Sequence, residues 1–252
     1  VAGPGGAQLY VRWMATSQSA RIADLAEAPD SISWSPDGRQ IALVMFTPDE
    51  GMKLGQPLAK PEGAKWAEPI KIISRLHYRE DGAGVLRDGF AHVFVVGADG
   101  GVPRQLTFGP YDDDGPLAWT RDGGSIVFSA RRGKEPDREP LNSDLFRVSV
   151  ADGVMTPLTS RVGPDFDPRI SPDGRQIAWV GWDDKLRGYE NVRVNVMNLD
   201  GSGMRVVTGG LDRSIDDLQW AGDSHSLYVQ YADHGQTKLA RVSLDGRMTP
   251  IA

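Results

Sequence analysis

The turn Ser35-Pro36-Asp37-Gly38 returns unchanged as Ser171-Pro172-Asp173-Gly174, and in altered form as Thr120-Arg121-Asp122-Gly123 and Ala221-Gly222-Asp223-Ser224. Each copy is flanked by short apolar runs. Its chemistry is that of a hairpin. Proline presets φ at the first central position, aspartate tolerates the second, and glycine takes the left-handed conformation that returns the chain as a neighbouring strand. Asp122, Asp173 and Asp223 lie 51 and 50 residues apart. A period of that size predicts one four-stranded propeller blade per repeat. The interval from Asp37 to Asp122 is 85 residues. That excess of roughly 35 residues over a usual blade predicts an insertion.

A second turn, Asp-Gly, alternates with the first at Asp99-Gly100, Asp152-Gly153, Asp200-Gly201 and Asp245-Gly246. Short apolar or alternating runs lie between the two, such as Ile126-Val127-Phe128 and Val192–Met197. The chain therefore reads as all-β, one β-propeller domain over 1–252. A partial first blade covers 7–27. The second covers 28–109 with the insertion at 47–89, the third 110–161, the fourth 162–210 and the fifth 211–252. Leu9–Trp13 and Arg21–Leu25 read as the third and fourth strands of the first blade. About four complete four-stranded blades plus half a blade make an incomplete, open ring, as expected of a fragment or an excised domain. Unpaired edges template pairing, so self-association through the strand near Leu9–Trp13 is expected. Pro157 and Pro250 mark outer edge strands, since proline cannot donate to a central ladder. Trp34, Trp119 and Trp220 fall on innermost strands and are expected to pack blade against blade.

Composition removes several function classes. The net charge of −6 argues against a nucleic-acid partner held by phosphate contacts. There is no cysteine, which excludes disulfides, thiolate metal sites and cysteine nucleophiles. No apolar run reaches transmembrane length, so no membrane partner is expected. A periplasmic and a cytoplasmic location fit equally well.

Residues 9–47, with Tyr-Val-Arg-Trp-Met, Ala-Arg-Ile-Ala-Asp-Leu and Ile-Ser-Trp-Ser-Pro-Asp-Gly-Arg-Gln-Ile-Ala, resemble the propeller of prolyl oligopeptidase family serine peptidases. The acylaminoacyl-peptidase (acyl-peptide hydrolase) branch is the most similar. Ile73–Gly82 of the insertion, and Phe94–Val96 through Arg104–Thr107, are similar to stretches of that branch. The resemblance implies a propeller that caps a separate α/β-hydrolase domain and controls the access of short peptides. The hydrolase domain and the peptide are then the implied partners. The Ser-Pro-Asp-Gly turn alone also suits TolB-like propellers, for which a protein-binding module is the alternative. A nucleophile elbow needs Gly-x-Ser-x-Gly on a strand-to-helix turn. Asp200-Gly201-Ser202-Gly203 has the wrong frame, so no catalytic residue is assigned to this chain.

No metal site or cofactor is predicted. Asp112-Asp113-Asp114-Gly115 lacks the closing glutamate of a calcium loop and reads as an interblade turn. Asp165 and Asp167 read as turn chemistry too. His77, His92, His225 and His234 have no ligand spacing, and His77 stands out only for lying in the insertion. Loops carry function more often than strands, and guanidinium groups grip carboxylates in bidentate fashion. The candidate substrate-binding residues are therefore Arg75, Tyr78, Arg79 and Trp66. The competing reading of these residues is an internal ion-pair network that stiffens a long loop.

Overall fold

The computed structural model describes residues 2–3, 6–49, 59–67 and 72–251. The first sheet contains β1 (Ala2–Gly3), β2 (Gly6–Arg12) and β3 (Ser19–Leu25) in that order. The second starts with β4 (Pro29–Trp34) and β5 (Gln40–Pro48). A small hairpin of β6 (Arg79–Glu80) and β7 (Gly84–Val85) then intervenes. The second sheet resumes with β8 (Gly89–Gly97) and β9 (Arg104–Gln105). The third sheet is β10 (Asp113–Trp119), β11 (Ser125–Ala130), β12 (Asp144–Ser149) and β13 (Met155–Pro157). The fourth is β14 (Asp165–Ile170), β15 (Gln176–Gly181), β16 (Arg193–Asn198) and β17 (Arg205–Val206). The fifth is β18 (Ile215–Trp220), β19 (Ser226–Asp233), β20 (Gln236–Ser243) and β21 (Met248–Pro250). Each sheet is an antiparallel meander in chain order, the arrangement of a propeller blade. Among the described strands, none of the fifth sheet pairs with the first, and the ring is open. The first sheet carries three strands, one more than the two read from the sequence.

The repeated turn builds the hairpins as its chemistry requires. Gly38 has φ +69° and donates its N–H to the Ser35 carbonyl at 2.9 Å. The Asp37 carboxylate accepts the Ser35 hydroxyl at 2.7 Å and the Arg39 N–H at 3.0 Å. Ser171-Asp173 repeats these contacts at 2.6 and 3.1 Å. In the altered fourth copy, Ser224 itself takes the left-handed conformation at φ 59°. Pro157 and Pro250 sit on edge strands, as predicted.

Four apolar layers glue neighbouring sheets. Ile41, Leu43 and Phe94 meet Leu9 and Leu25 between the first two sheets. Val44 and Val93 meet Trp119 and Phe128 between the next two. Trp179 and Met197 meet Val127 and Leu145. Val180 and Val196 meet Trp220 and Val229. The second strands of the inner sheets thus bury both faces and read as unbroken apolar runs. The flanking sheets bury one face and alternate, as in Leu227-Tyr228-Val229-Gln230.

Of the three inner-strand tryptophans, two pack between blades. Trp119 Nε1 donates to the Ser33 carbonyl of the preceding blade at 3.2 Å, and Trp220 Nε1 to that of Arg169 at 2.9 Å. Trp34 departs from the expectation and is half exposed. The sheet before it has no innermost strand among the described residues to cover it.

Candidate functional site

Consecutive antiparallel order sorts the connections between the two ends of the molecule. The Ser-Pro-Asp-Gly and Asp-Gly turns lie at one end. The blade-to-blade links and the loops joining second to third strands lie at the other. Those loops run over 49–88, 131–143, 182–192 and 234–235. The insertion is the longest of them, so it crowns the second end.

The insertion leaves and rejoins the sheet through a paired stem. β5 and β8 pair from Gln40↔Gly97 to Pro48↔Gly89, and Asp49 N–H then bonds the Asp88 carbonyl at 3.0 Å. Gly89 closes the stem at φ +140°, where a Cβ would stand 2.4 Å from the Thr47 carbonyl oxygen. Two arginines fasten the loop to either side. Arg75 lies over the Phe90 ring at 4.5 Å, with Asp112 at 3.7 Å and Asp137 at 3.6 Å. Arg87 lies over the Phe46 ring at 4.5 Å and pairs with Glu27 at 2.7 Å. Leu76 N–H donates to Asp137 Oδ2 at 2.9 Å. One arginine thus ties the insertion to the third blade and the other to the link between the first and second.

Two of the larger clefts among the described residues open on this end. One of about 710 Å³ lies beneath the insertion, lined by Asp30, Arg75, His77, Glu80, Arg87 and Arg131 among others. The other, about 550 Å³, lies over the third and fourth blades and exposes Asp114, Asp167, Asp216, Phe166 and Trp182. Asp112 and Arg131 line both. Burial pushes the Asp114 carboxyl up. The Gly115 N–H and Arg131 oppose this, while the charges of Asp30 and Asp112 add to it. Burial pushes Asp167 up as well, against Arg169 and with Asp217. Phe166 and Trp182 meet edge to face at 6.3 Å. The surface offers carboxylates, a guanidinium and aromatic edges, a set suited to gripping a polar chain.

Of the predicted site residues, Arg75 lines the cleft under the insertion. Its guanidinium is already engaged by Phe90, Asp112 and Asp137. Arg79 and Tyr78 lie exposed on or beside β6, and Trp66 is exposed on the insertion. The structure does not bring these three into the two clefts. His77, by contrast, is there. Of the cleft carboxylates, Asp30 and Asp216 were not singled out in the sequence, and Asp114 and Asp167 were read as turn chemistry. Their shared signal is position, since each lies near the start of an innermost strand, at or beside a register break in its pairing with the next strand.

Two expectations of turn chemistry are corrected. Asp113 opens β10, fully buried, and takes Arg132 in bidentate fashion at 2.6 and 2.8 Å, with His92 Nδ1 at 3.5 Å. Asp165 opens β14, also buried. Its Oδ1 accepts Arg161 at 2.5 and 2.8 Å and the Trp179 indole N–H at 2.7 Å. Both carboxylates are structural clamps. Among the described residues, no group of three or more His, Asp or Glu could hold a metal ion.

The fold is that of an open β-propeller, and the comparisons show similarity to the propellers of peptidases. Residues 58–180 match the family described as the dipeptidyl peptidase IV (DPP IV) N-terminal region. The chain is 27% identical over 234 residues to dipeptidyl-peptidase 5 of Porphyromonas gingivalis, covering 84% of this chain and 32% of that protein. It superposes on the acylaminoacyl peptidase of Pyrococcus horikoshii with TM-score 0.73 and 19% identity, over 97% of this chain and 35% of that one. A TolB from Agrobacterium tumefaciens matches at TM-score 0.52 and 18% identity, over 96% and 87%. The resemblance to the propellers of prolyl oligopeptidase family enzymes therefore holds. The chain spans about a third of the length of the curated relatives it matches.

Proposed function

We propose that this chain is the non-catalytic propeller portion of a serine peptidase of the dipeptidyl- and acylaminoacyl-peptidase kind. A separate α/β-hydrolase domain would carry the nucleophile, and the propeller would govern which short peptides reach it. The match of residues 58–180 to the dipeptidyl peptidase IV N-terminal region carries this reading, because it takes in most of the insertion and the third blade that follows it. The end crowned by the insertion is the one we assign to the hydrolase side, since both clefts open there. In this arrangement Arg75 holds the insertion in place. The exposed Trp66, Tyr78 and Arg79 are the residues left open to a peptide or to the second domain.

The test compares the complete gene product with the 252-residue chain on dipeptidyl and N-acyl-aminoacyl p-nitroanilides. The complete product should turn over at least one of them and lose that activity to a fluorophosphonate. The 252-residue chain should show no turnover. Fluorophosphonate-sensitive hydrolysis by the purified 252-residue chain would overturn the proposal, as would a complete product inert on both.

One observation favours a second reading, a TolB-like protein-binding propeller. The TolB match covers 87% of that protein, against 35% of the acylaminoacyl peptidase. A complete gene product without hydrolase activity that associates through the same end of the propeller would select it.

A further inference from the structure

The second, third and fourth blades repeat one joint. A threonine just past the outermost strand accepts a third-strand N–H: Val93 to Thr107 at 2.8 Å, Leu145 to Thr159 at 2.9 Å and Val194 to Thr208 at 3.0 Å. The residues before these donors are His92, Asp144 and Arg193. The following blades open their innermost strands with Asp113, Asp165 and Ile215. Main-chain bonds close the later two joints, where the Ser143 carbonyl accepts the Asp165 N–H at 2.9 Å and the Val192 carbonyl accepts the Ile215 N–H at 3.1 Å.

The side chains at the three joints differ. Between the second and third blades an imidazole meets a carboxylate, His92 Nδ1 and Asp113 Oδ2 at 3.5 Å. Between the fourth and fifth, Arg193 donates to the carbonyls of Thr208 and Leu211, and Ile215 carries no charge. Between the third and fourth, two carboxyls of like sign meet. The Thr159 hydroxyl lies 3.1 Å from Asp144 Oδ1 and acts on both Asp144 and Asp165. The other charge facing Asp144 is Arg161, on the link before β14, which also pairs with Asp165 and Asp183. Asp165 stays ionised because its Oδ1 accepts Arg161 Nε at 2.8 Å and the Trp179 indole N–H at 2.7 Å. Its Oδ2 is buried with no hydrogen-bond partner among the described residues, a costly state for an acceptor.

A threonine hydroxyl has one proton to give and two lone pairs that accept. The Leu145 N–H occupies one lone pair of Thr159. Ionised Asp144 and Asp165 would compete for the single hydroxyl proton, whereas one added proton satisfies every group. We propose that Asp144, Thr159 and Asp165 form a proton-operated joint, in which the Asp144 carboxyl donates to Thr159 Oγ1, the Thr159 hydroxyl donates to Asp165 Oδ2, and loss of the Asp144 proton to water frees the rim of the cleft over the third and fourth blades. On that loss the hydroxyl turns to Asp144, Oδ2 is stranded, and two like charges face each other. The neighbouring Ser143 is the contact that gives way. Its N–H bonds the Gly163 carbonyl at 3.4 Å and its hydroxyl the Asp165 carbonyl at 3.1 Å. Leu141, Ser143 and Pro164 line the cleft. Burial, with the charge of Asp165, pushes the Asp144 carboxyl up to about 6. The joint is therefore closed below that pH and loosens as pH rises through it. It needs only the third and fourth blades and is independent of the peptidase reading.

Hydrogen-exchange mass spectrometry of the complete gene product tests the joint at about pH 5 and about pH 8, on either side of the Asp144 titration, with rates corrected for intrinsic exchange. The Ser143 and Asp165 amides should exchange roughly tenfold faster at the higher pH. The Ile215 amide, in the equivalent joint without a carboxyl pair, should not change. Asp144→Asn should keep the slow rate at both pH values, because its amide N–H takes the place of the carboxyl proton. Corrected rates independent of pH in the parent would overturn the joint and leave Oδ2 to another donor, such as water. An equal acceleration at Ile215 would overturn it in favour of general loosening. A parent-like response in Asp144→Asn would overturn the assignment of the proton to Asp144.

Discussion

Asp37 and Asp144 titrate in opposite directions because solvent loss and hydrogen-bond donors compete at each carboxyl. Asp37 is exposed, and the Ser35 hydroxyl and the Arg39 N–H hold its pKa down. Asp144 is half-buried, and desolvation pushes it up to about 6 from 3.8. The Thr159 hydroxyl opposes this shift and the negative charge of Asp165 adds to it. The native state therefore holds a proton that the unfolded chain releases between these two values. Stability contributed by the neutral Asp144 is complete below 3.8 and is lost as pH rises through about 6. Asp144→Asn is neutral at every pH and keeps an oxygen to accept from Thr159. Urea unfolding should show it equal to the parent at low pH, increasingly more stable as pH rises from about 3.8 to about 6, and more stable by a constant amount above that. A constant difference across the range would contradict the assignment. The Asp113–Arg132 clamp makes a second prediction at this scale. Arg132→Met strips the guanidinium from a fully buried carboxylate and should cost about 3–5 kcal/mol in denaturant unfolding. Adding Asp113→Asn to Arg132→Met should recover part of that loss, because the stranded charge is then gone.

The insertion shows how a long loop is held by a few contacts at its stem. Arg75 and Arg87 each stack on a phenylalanine of the β5–β8 stem and reach a carboxylate of a different neighbour. Removing one staple should loosen one side only. In hydrogen-exchange mass spectrometry, Arg75→Ala should speed exchange around Leu76, whose N–H bonds Asp137, and leave the five sheets unchanged. Gly89→Ala should act more broadly, because its Cβ would collide with the Thr47 carbonyl and Phe46 ring across the stem. The hairpins were legible in the sequence because four adjacent residues decide each turn. The period of the blades followed from them, as did the place of the insertion and the edge strands at Pro157 and Pro250. The staples were not legible, since Arg75 meets Asp137 across 62 positions and nothing local marks the pairing. Asp113 and Asp165 misled the sequence reading for a related reason. Aspartate close to glycine or proline has the composition of a turn, whereas its partners Arg132 and Arg161 are supplied by tertiary packing. Arg75 was found as a residue of interest by its loop, but its engagement by two carboxylates and a ring is visible only in three dimensions.

At the scale of the molecule, each sheet touches only its neighbours in the chain, as in a linear repeat array. Stability should then depend on how many faces of a sheet are covered. The second, third and fourth sheets are covered on both faces, and Ile126, Phe128, Ile177 and Trp179 at their centres are wholly buried. Among the described residues, the first sheet is covered only by the second. Its other face carries Gln8, Tyr10, Arg21 and Asp24, joined by exposed hydrogen bonds. The fifth sheet is likewise covered on one face, with Tyr228 and Gln230 outward. Exposed polar networks of this kind contribute little, about 0–1 kcal/mol for an ion pair. Native-state hydrogen exchange of the 252-residue chain should therefore be graded. Amides of β11 and β15 should open only with global unfolding, while those of β2, β3 and β20 should open through cheaper partial unfolding. A uniform opening free energy in all five sheets would show instead that the array unfolds as one unit.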